Sequence, residues 1–256
     1  MTTPASKSEF EQKLIESFSR AARSYDRHAQ IQRTMAERLA SFLPDPLPRR
    51  ILEIGCGTGV FTRHILARSP RRLLLNDLAP AMIDHLKGHL ELPARTLVLL
   101  GNAETLRFPT VDLIAANAVF QWFLDPAATL KRLSQRLKPP GALVFSTFGS
   151  RTLEEFRELA SLKGPTTLLS RTQWQQVLRE AGFRILQKQT ESREVFFKNT
   201  QELLKNLQQI GAAPARQMKP ALLKQLIREY DRRYGTSQGV YTHWEILYFS
   251  AQLIKK

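Results

Sequence analysis

The chain of 256 residues contains one cysteine, Cys56, so it cannot form a disulfide within itself. It also lacks a long hydrophobic run, because stretches such as 97–100 and 111–120 fall far short of the ~20 residues that a transmembrane helix needs. Its first residues are polar and include no apolar segment of the signal-peptide kind. Together these absences predict a cytoplasmic protein with no membrane partner.

Acidic residues are few, since 23 Asp and Glu face 38 Lys and Arg, which gives a net charge of +15. The excess is largest in the last 106 residues, with 18 basic and 10 acidic side chains. A basic surface favours an acidic partner such as nucleic acid, an anionic membrane or an acidic protein, or it serves solubility alone. The five histidines are scattered without ligand spacing, which predicts that no metal is bound.

Hydrophobic periodicity predicts an α/β fold. Helix-like spacing runs over residues 8–43 and ends at three closely spaced prolines. Short apolar strands then alternate with helices, which is typical of a mainly parallel sheet. Strands are expected at 50–54, 72–76, 96–100, 111–116, 142–148, 183–190 and 243–253, and helices at 58–69, 80–90, 126–137, 172–181, 200–210 and 220–230. The pattern predicts seven strands, helices on both faces and a helical insertion at about 195–235 near the C-terminus.

A glycine-rich loop, Gly55-Cys56-Gly57-Thr58-Gly59, follows the first expected strand directly. Glycines at such a turn let a ligand approach the backbone closely. The spacing differs from the Gly-x-Gly-x-x-Gly fingerprint of dinucleotide sites. The acid Glu53, just before the loop, suits a cationic ligand better than a diphosphate.

Polar side chains also follow the next three strands. Asp77 ends the second strand, 22 residues after Gly55, where a carboxylate can accept hydrogen bonds from both hydroxyls of a ribose. The segment 101–104 follows the third strand, where an adenine would lie, and Asn117 follows the fourth. All of these positions fall at carboxyl ends of strands, where open α/β sheets bind ligands.

In order and spacing, segments 53–59, 76–82 and 101–104 resemble the three binding motifs of class I, Rossmann-like methyltransferases. The resemblance implies the cofactor S-adenosylmethionine, the product S-adenosylhomocysteine and no metal. Asn102 departs from the pattern, because the family usually has Asp there. Cys56 stands where the family has small residues, and no neighbouring His would activate it as a nucleophile. The implied cofactor-binding residues are Glu53, Gly55, Cys56, Gly57, Gly59, Asp77, Leu78, Met82, Asn102, Ala103, Glu104 and Asn117.

The flanking segments are similar to the malonyl-acyl-carrier-protein O-methyltransferases of biotin synthesis. The similar segments are 18–26, 117–122, 147–156, 203–212 and 244–248. The resemblance implies methyl transfer to the free carboxylate of a malonyl thioester on acyl carrier protein. The resulting methyl ester would prime pimeloyl synthesis. A carboxylate with a pKa near ~4 is already ionised at pH 7, so no general base is needed.

An Arg is expected to hold that carboxylate through a bidentate pair, and Tyr25 to cap the cofactor or orient the carboxylate. The candidates for the substrate site are Arg20, Arg23, Gln121, Trp122, Arg151 and Arg193. Acyl carrier proteins are acidic, so the basic insertion is expected to bind one. The candidates for docking are Lys205, Arg216, Lys219, Lys224, Arg228, Arg232 and Arg233.

Residues 1–48 are expected to form a helical segment that covers the cofactor site, and 49–256 the Rossmann-like domain of a monomer.

Other acceptors stay open: another small carboxylate, a quinone-type compound or a protein. A nucleic-acid methyltransferase is disfavoured, because the segment Asn117-Ala118-Val119-Phe120 lacks the Pro-Pro-aromatic motif of base-amino enzymes. A cofactor-binding module without transfer activity is disfavoured by the intact Glu53, Asp77 and glycine set.

Overall fold

The computed structural model describes residues 7–160, 167–212 and 219–254. The helices in these ranges are α1 (Lys7–Ala21), α2 (Tyr25–His28), α3 (Gln30–Ala40), α4 (Thr62–Leu66), α5 (Pro80–His89), α6 (Pro126–Ser134), α7 (Glu154–Ala160), α8 (Arg171–Glu180), α9 (Thr200–Gln209) and α10 (Pro220–Tyr234). The strands are β1 (Arg50–Ile54), β2 (Arg72–Asp77), β3 (Leu97–Leu100), β4 (Val111–Asn117), β5 (Leu137–Phe148), β6 (Phe183–Phe197), β7 (Gly235–Thr236) and β8 (Gly239–Leu253).

One sheet joins the strands in the order β3-β2-β1-β4-β5-β8-β6, and the two-residue β7 pairs with β8. Strands β1 to β5 are parallel, while β8 runs antiparallel between β5 and β6. This confirms the predicted α/β class with a mostly parallel sheet, and the short β7 adds an eighth strand to the seven expected. The carboxyl ends of β1, β2 and β4 meet at one edge, which positions the site described below.

The central strands are buried on both faces, so successive residues enter two separate cores. On β1, Ile51 joins a core with Met35 and Leu39 of α3, whereas Leu52 joins a second core with Trp174 of α8. All five side chains are at most 1% exposed. Full burial of such a side chain contributes about 1.5–3 kcal/mol, so both helix layers fix the strand ends.

Two expected boundaries were wrong. The helix expected at 58–69 is only α4, because Gly59 has a φ of 90° and Ser69 a φ of 50°, neither of which is helical. The helix expected at 126–137 ends at Ser134, and β5 begins at Leu137 rather than at residue 142. Leu137 pairs with Val111 of β4, so the strand begins before its prolines. The prolines lie at a register shift, where the sheet loses little because no ladder hydrogen bond is needed from their missing N–H groups.

The terminal segments also differ in detail from the expectations. The helical run 8–43 is divided into α1, α2 and α3 by a turn at 22–24 and by Ala29, which is not helical. Helix α7 was not predicted, and β6 continues along β8 to Phe197. Helices α9 and α10 lie between β6 and β8, where the insertion was expected. Within the described ranges, no helix has the length and apolar character needed to cross a bilayer.

Candidate active site

The glycine loop turns sharply after β1. Gly55, Gly57 and Gly59 have φ values of 64°, 54° and 90°, in the left-handed region that glycine tolerates best. A Cβ on Gly55 would collide with Val119, whereas a Cβ on Gly57 would meet no atom within 4 Å. Gly57 lines a cavity at the strand ends. The loop therefore presents bare backbone to open space at Gly57 and is packed against protein at Gly55.

Asp77 is held rigidly at the end of β2. One carboxylate oxygen accepts from the Gly57 N–H at 2.8 Å, and the other accepts from the Ala79 N–H at 2.8 Å. Burial raises the pKa of Asp77, and the N–H groups of Ala79, Gly57 and Leu78 offset part of that rise. Each oxygen keeps a lone pair for a ligand. The side chain lines the same cavity as Gly57, so a buried acceptor faces that space.

The loop after β3 is fixed by side chains. Asn102 Oδ1 accepts from the Glu104 N–H at 2.8 Å, and Asn102 Nδ2 donates to Glu11 Oε2 of α1 at 2.8 Å. Arg132 donates to the carbonyl oxygens of Ala103 and, at 2.8 Å, Leu106. This loop forms one wall of the cavity and is tied to the N-terminal helix.

Two side chains after β4 link the sheet to its neighbours. Asn117 Nδ2 donates to the Gln32 carbonyl oxygen at 3.1 Å, and Asn117 Oδ1 accepts from the Ser146 hydroxyl at 2.7 Å. Gln121 Nε2 donates to the Ala118 carbonyl oxygen at 2.7 Å. Asn117 lines the cavity, whereas the Gln121 side chain is 2% exposed and lies outside its lining.

The cavity at these strand ends encloses about 840 Å³, counted with its open mouth. Of the twelve residues expected to bind the cofactor, nine line it: Gly55, Gly57, Asp77, Leu78, Met82, Asn102, Ala103, Glu104 and Asn117. Glu53, Cys56 and Gly59 lie outside the lining. The structure thus gathers four separate sequence segments around one space.

Helix α1 forms the roof of the cavity through Phe10, Glu11, Leu14 and Phe18. The ring of Phe18 meets Trp122 edge to face, with centroids 5.4 Å apart. The helix also packs against α5 and α9, and the Ser17 hydroxyl donates to the Gly211 carbonyl oxygen at 2.9 Å. The N-terminal segment was expected to cover the cofactor site, but these four residues were not among the expected site residues, because helical spacing alone does not indicate which side chains reach a cavity.

Tyr25 lines the cavity next to Asp77. Burial raises its pKa above the ordinary range, and the carboxylates of Asp77 and Asp26 add to the rise. Its hydroxyl is therefore protonated at neutral pH and is able to donate a hydrogen bond. Trp122, from the expected substrate set, also lines the cavity.

None of the cavity-lining residues, among those the structure describes, is cationic. Arg20 lies 4.0 Å from Glu16, Arg151 pairs with Glu245 at 3.3 Å, and Arg193 pairs with Glu191 at 2.9 Å. Arg23 is exposed. Contact of any of these four arginines with a substrate stays a prediction, as does that of Gln121.

Glu53 and Cys56 are buried behind the loop. Burial raises the pKa of Cys56 well above its usual value, and Asp77 and Glu53 add to the rise, so the thiol is not an activated nucleophile. Burial also raises the pKa of Glu53 to about 8, with a further rise from Asp77 and a partial offset from the Thr62 hydroxyl. Glu53 is thus mostly neutral at pH 7.

The raised pKa of Glu53 makes stability depend on pH. Between the ordinary value of 4.5 and about 8, this carboxyl ionises in the unfolded chain but not in the fold. Its contribution to stability is therefore present below pH 4.5 and lost by about pH 8, at ~1.4 kcal/mol per unit. We expect Glu53→Gln to gain about 3 kcal/mol in free energy of unfolding relative to the parent between pH 5 and pH 8.

Urea unfolding across that pH range measures the difference. Glu37→Gln, which changes an exposed acid on α3, is the matched control. A difference between Glu53→Gln and the parent that does not vary with pH would contradict the assignment.

The cations of the insertion divide into two groups. Lys205, Lys219, Lys224 and Arg228 are exposed and make no ion pair within the described ranges. Arg232 and Arg233 both bind Glu229, and their hydrogen bonds lower the pKa of that carboxyl to about 2. Arg216 lies outside the described residues. The free positive charge of the insertion is therefore centred on α9 and the first half of α10.

A second basic cluster was not expected. Its exposed members, which make no side-chain ion pair within the described ranges, are Arg49, Arg71, Arg72, Arg95 and Lys138. The register that pairs Arg50 with Arg72 brings the first three together. They lie at the amino ends of the strands, about 17 Å along β1 from the cavity edge. Their separation in the sequence hid the cluster.

Glu154, Glu155 and His243 offer potential metal ligands within 4.8 Å of one another, away from the cavity. Glu155 already accepts hydrogen bonds from the Thr242 hydroxyl and the His243 backbone N–H. The absence of a bound metal stays a prediction.

Comparison with known proteins agrees with this geometry. A family model described as a methyltransferase domain matches residues 25–188. The chain is 33% identical to a malonyl-acyl-carrier-protein O-methyltransferase of Paenibacillus sp., over 89% of this chain and 93% of that protein. It is 30% identical to a protein of the same name from Halalkalibacterium halodurans, over 92% of this chain and 96% of that one.

Solved structures share the fold. A putative methyltransferase from Bacillus halodurans superposes with a TM-score of 0.65 at 13% identity, covering 87% of this chain and all of that one. A phosphoethanolamine N-methyltransferase from Haemonchus contortus, in complex with S-adenosylhomocysteine, has a TM-score of 0.55 at 20% identity and covers 85% of this chain and 52% of that one. With the family match and the relatives at 30% identity or more, the chain belongs to the malonyl-acyl-carrier-protein O-methyltransferase family of S-adenosylmethionine-dependent methyltransferases.

Proposed function

We propose that this protein transfers a methyl group from S-adenosylmethionine to the free carboxylate of malonyl-acyl carrier protein, giving the ester that primes pimeloyl synthesis for biotin. The observation that carries the proposal is the similarity to relatives of that name across about nine-tenths of the chain. It includes the segments outside the cofactor motifs, where an acceptor must be recognised.

The cavity fits the cofactor in two respects. Gly57 leaves backbone bare where a side chain would occupy the space. Asp77 offers spare lone pairs suited to ribose hydroxyls. When bound, S-adenosylmethionine would supply an electrophilic methyl group. Glu53, Cys56 and Gly59 would act from behind the loop, by shaping it rather than by contact.

The side chains then have modest tasks, because a malonyl carboxylate is ionised at pH 7 and needs no base. Tyr25 donates a hydrogen bond that orients the malonyl carboxylate, since the Tyr25 hydroxyl keeps its proton. Phe18 and Trp122 exclude water from the reacting atoms. Catalysis is mainly alignment of oxygen, methyl carbon and sulfur.

The domain arrangement follows from this role. Residues 1–48 cover the cofactor site and 49–256 form the Rossmann-like domain, whose insertion at about 195–235 binds the acidic carrier. Contact between α9 and α1 supports this, because the insertion adjoins the roof of the cavity. The protein works as a cytoplasmic monomer, without a metal, nucleic acid or membrane.

A second candidate is an uncharged acceptor of the quinone type. The observation that favours it is the absence of a cation among the lining residues in the described ranges. A free carboxylate is usually bound by a charged partner. Both candidates use the same cofactor residues, so they differ only in the acceptor.

The experiment that separates them supplies labelled S-adenosylmethionine with malonyl-, succinyl- and acetyl-loaded carrier protein and with a soluble hydroquinone, the reduced form that has a hydroxyl to methylate. Label on the malonyl carrier alone supports the proposal. Label on the hydroquinone alone supports the second candidate, and no label on any carrier contradicts the first. Growth without biotin, restored by the gene in a strain lacking this step, is the cellular counterpart.

Gly57 and Gly55, one facing open space and one packed against protein, give a paired prediction. Gly57→Ala places a methyl group in the cofactor space, so the Kd for S-adenosylhomocysteine should rise about tenfold, equivalent to ~1.4 kcal/mol. Stability should fall by only the ~1–2 kcal/mol of a left-handed residue. Gly55→Ala collides with Val119 and should lose a further ~1–3 kcal/mol of stability. Calorimetric titration measures the Kd and thermal unfolding measures the stability of each variant. Equal Kd changes together with equal stability losses in the two variants would contradict the prediction.

A further inference from the structure

Asn102 stands where the family pattern has an acid, and the structure shows how its side chain is used. Its oxygen faces the Glu104 N–H and its amide nitrogen faces a carboxylate oxygen of Glu11. A donor needs an acceptor and a carboxylate needs a donor, so both neighbours fix the same orientation of the amide. The Asn102 side chain is therefore not the acidic acceptor that an Asp would be.

Glu11 lies at the same wall of the cavity, on the roof helix α1. It lines the cavity with Gly101, Asn102 and Ala103, the loop after β3. One of its oxygens, Oε2, receives the Asn102 amide at 2.8 Å. A carboxylate accepts about four hydrogen bonds, so Glu11 keeps acceptor capacity toward the cavity.

From this geometry we infer that Glu11 is the adenine-recognising acid of this enzyme and accepts a hydrogen bond from the 6-amino group. The inference rests on the proposed cofactor. The carboxylate comes from the roof helix, and Asn102 holds it in position. Adenine recognition and the packing of α1 over the cavity are thereby joined in one contact.

The pairing explains why position 102 holds an amide in this chain. An Asp there would place a second carboxylate within hydrogen-bond distance of Glu11. Two like charges so close repel strongly in a partly buried site. Asn removes the repulsion and supplies the N–H donor that orients Glu11.

A purely structural latch between α1 and the loop makes a different prediction. In that case Glu11 only holds α1 against the loop, and its replacement changes the Kd of every cofactor analogue by the same factor. If Glu11 contacts the 6-amino group, an analogue with a 6-oxo group places an acceptor oxygen against the Glu11 carboxylate and binds less tightly. S-inosylhomocysteine is that analogue of S-adenosylhomocysteine, so the ratio of the two Kd values reports the contact directly.

The test measures both Kd values by calorimetric titration for the parent, Glu11→Gln, Asn102→Asp and the double variant. The parent should prefer S-adenosylhomocysteine by at least about 30-fold, and Glu11→Gln should reduce this ratio at least tenfold, because Gln donates to a 6-oxo group. Asn102→Asp alone should weaken S-adenosylhomocysteine about tenfold or more. The double variant, with acid and amide exchanged, should return to within about threefold of the parent.

Glu16→Gln, on an acid of α1 outside the cavity lining, is the matched control and should leave the ratio unchanged. Circular dichroism verifies that each variant is folded. Equal weakening of both ligands by Glu11→Gln, or no recovery in the double variant, overturns the inference. Those outcomes leave the proposed function intact, since the parent still binds S-adenosylhomocysteine. A parent that binds neither ligand contradicts the proposed function itself.

Discussion

Replacing Asp77 with alanine is expected to raise the Kd for S-adenosylhomocysteine about 100-fold or more. The carboxylate is buried at the cavity wall and is held there by the N–H groups of Gly57 and Ala79. Two ribose hydroxyls that donate to it would each contribute about 1.5–3 kcal/mol, as hydrogen bonds to charged groups do. Alanine removes both bonds and leaves the loop N–H of Gly57 without its acceptor.

Asp77→Asn refines the prediction. An amide has one accepting oxygen, whereas both Asp77 oxygens accept backbone N–H groups. The amide nitrogen would therefore face a donor, and the loss of affinity should be substantial although the shape is kept. Asp84→Asn, on the exposed side of α5, is the control. Calorimetric titration measures the Kd, and a change of less than about fivefold for Asp77→Ala would rule out the assigned contact.

Charge reversal in the insertion is expected to have the second-largest effect. Lys205, Lys224 and Arg228 are exposed and form no ion pair in the described part of the chain. Changing all three to Glu should lower kcat/KM for the malonyl carrier about 30-fold or more at low salt, mainly through KM. Each exposed charge contributes up to ~1 kcal/mol to a complementary surface, and reversal adds repulsion. A short malonyl thioester, which has no carrier, should react at the parental rate.

The basic cluster at the other end of the sheet provides the matched control. Arg71→Glu with Arg95→Glu also changes the net charge strongly, but about 17 Å or more from the cavity edge. This double variant should change kcat/KM for the malonyl carrier only slightly. High salt should reduce the difference between the parent and the insertion variant. Equal losses on the carrier and on the short thioester would show that these residues act on folding or catalysis instead of docking.

The sequence predicted which residues gather on the sheet side of the cavity, because that side is built from strand ends. Their contact with the cofactor stays a prediction. Gly57 and Asp77 follow buried strands directly, so parallel pairing alone brings them together. The N-terminal segment was expected to cover the cofactor site, but the individual residues of the roof could not be predicted in the same way. The spacing of Phe10, Leu14 and Phe18 indicates a helix with an apolar face, but not which surface it covers. The contact between Glu11 and Asn102 joins residues 91 positions apart that no local pattern relates.

The expected element boundaries were wrong where backbone geometry overrode side-chain pattern. Helix α4 is short because Gly59 and Ser69 adopt positive φ, which hydrophobic spacing does not reveal. Strand β5 begins before its two prolines because Leu137 finds a partner in Val111. The expected substrate arginines show a similar limit: their charge is visible in the sequence, but Arg151 is paired with Glu245, 94 positions away on β8. Arg193 is paired with Glu191 of its own strand.

The most direct test of the account is the intact mass of malonyl-acyl carrier protein after incubation with this enzyme and S-adenosylmethionine. The account predicts a gain of one CH₂ unit, which fragmentation locates on the malonyl carboxylate. Succinyl and acetyl carriers should keep their mass, and the Asp77→Ala variant should produce no gain at the same enzyme concentration. An unchanged malonyl carrier, or a methyl group located on the carrier polypeptide, would contradict it.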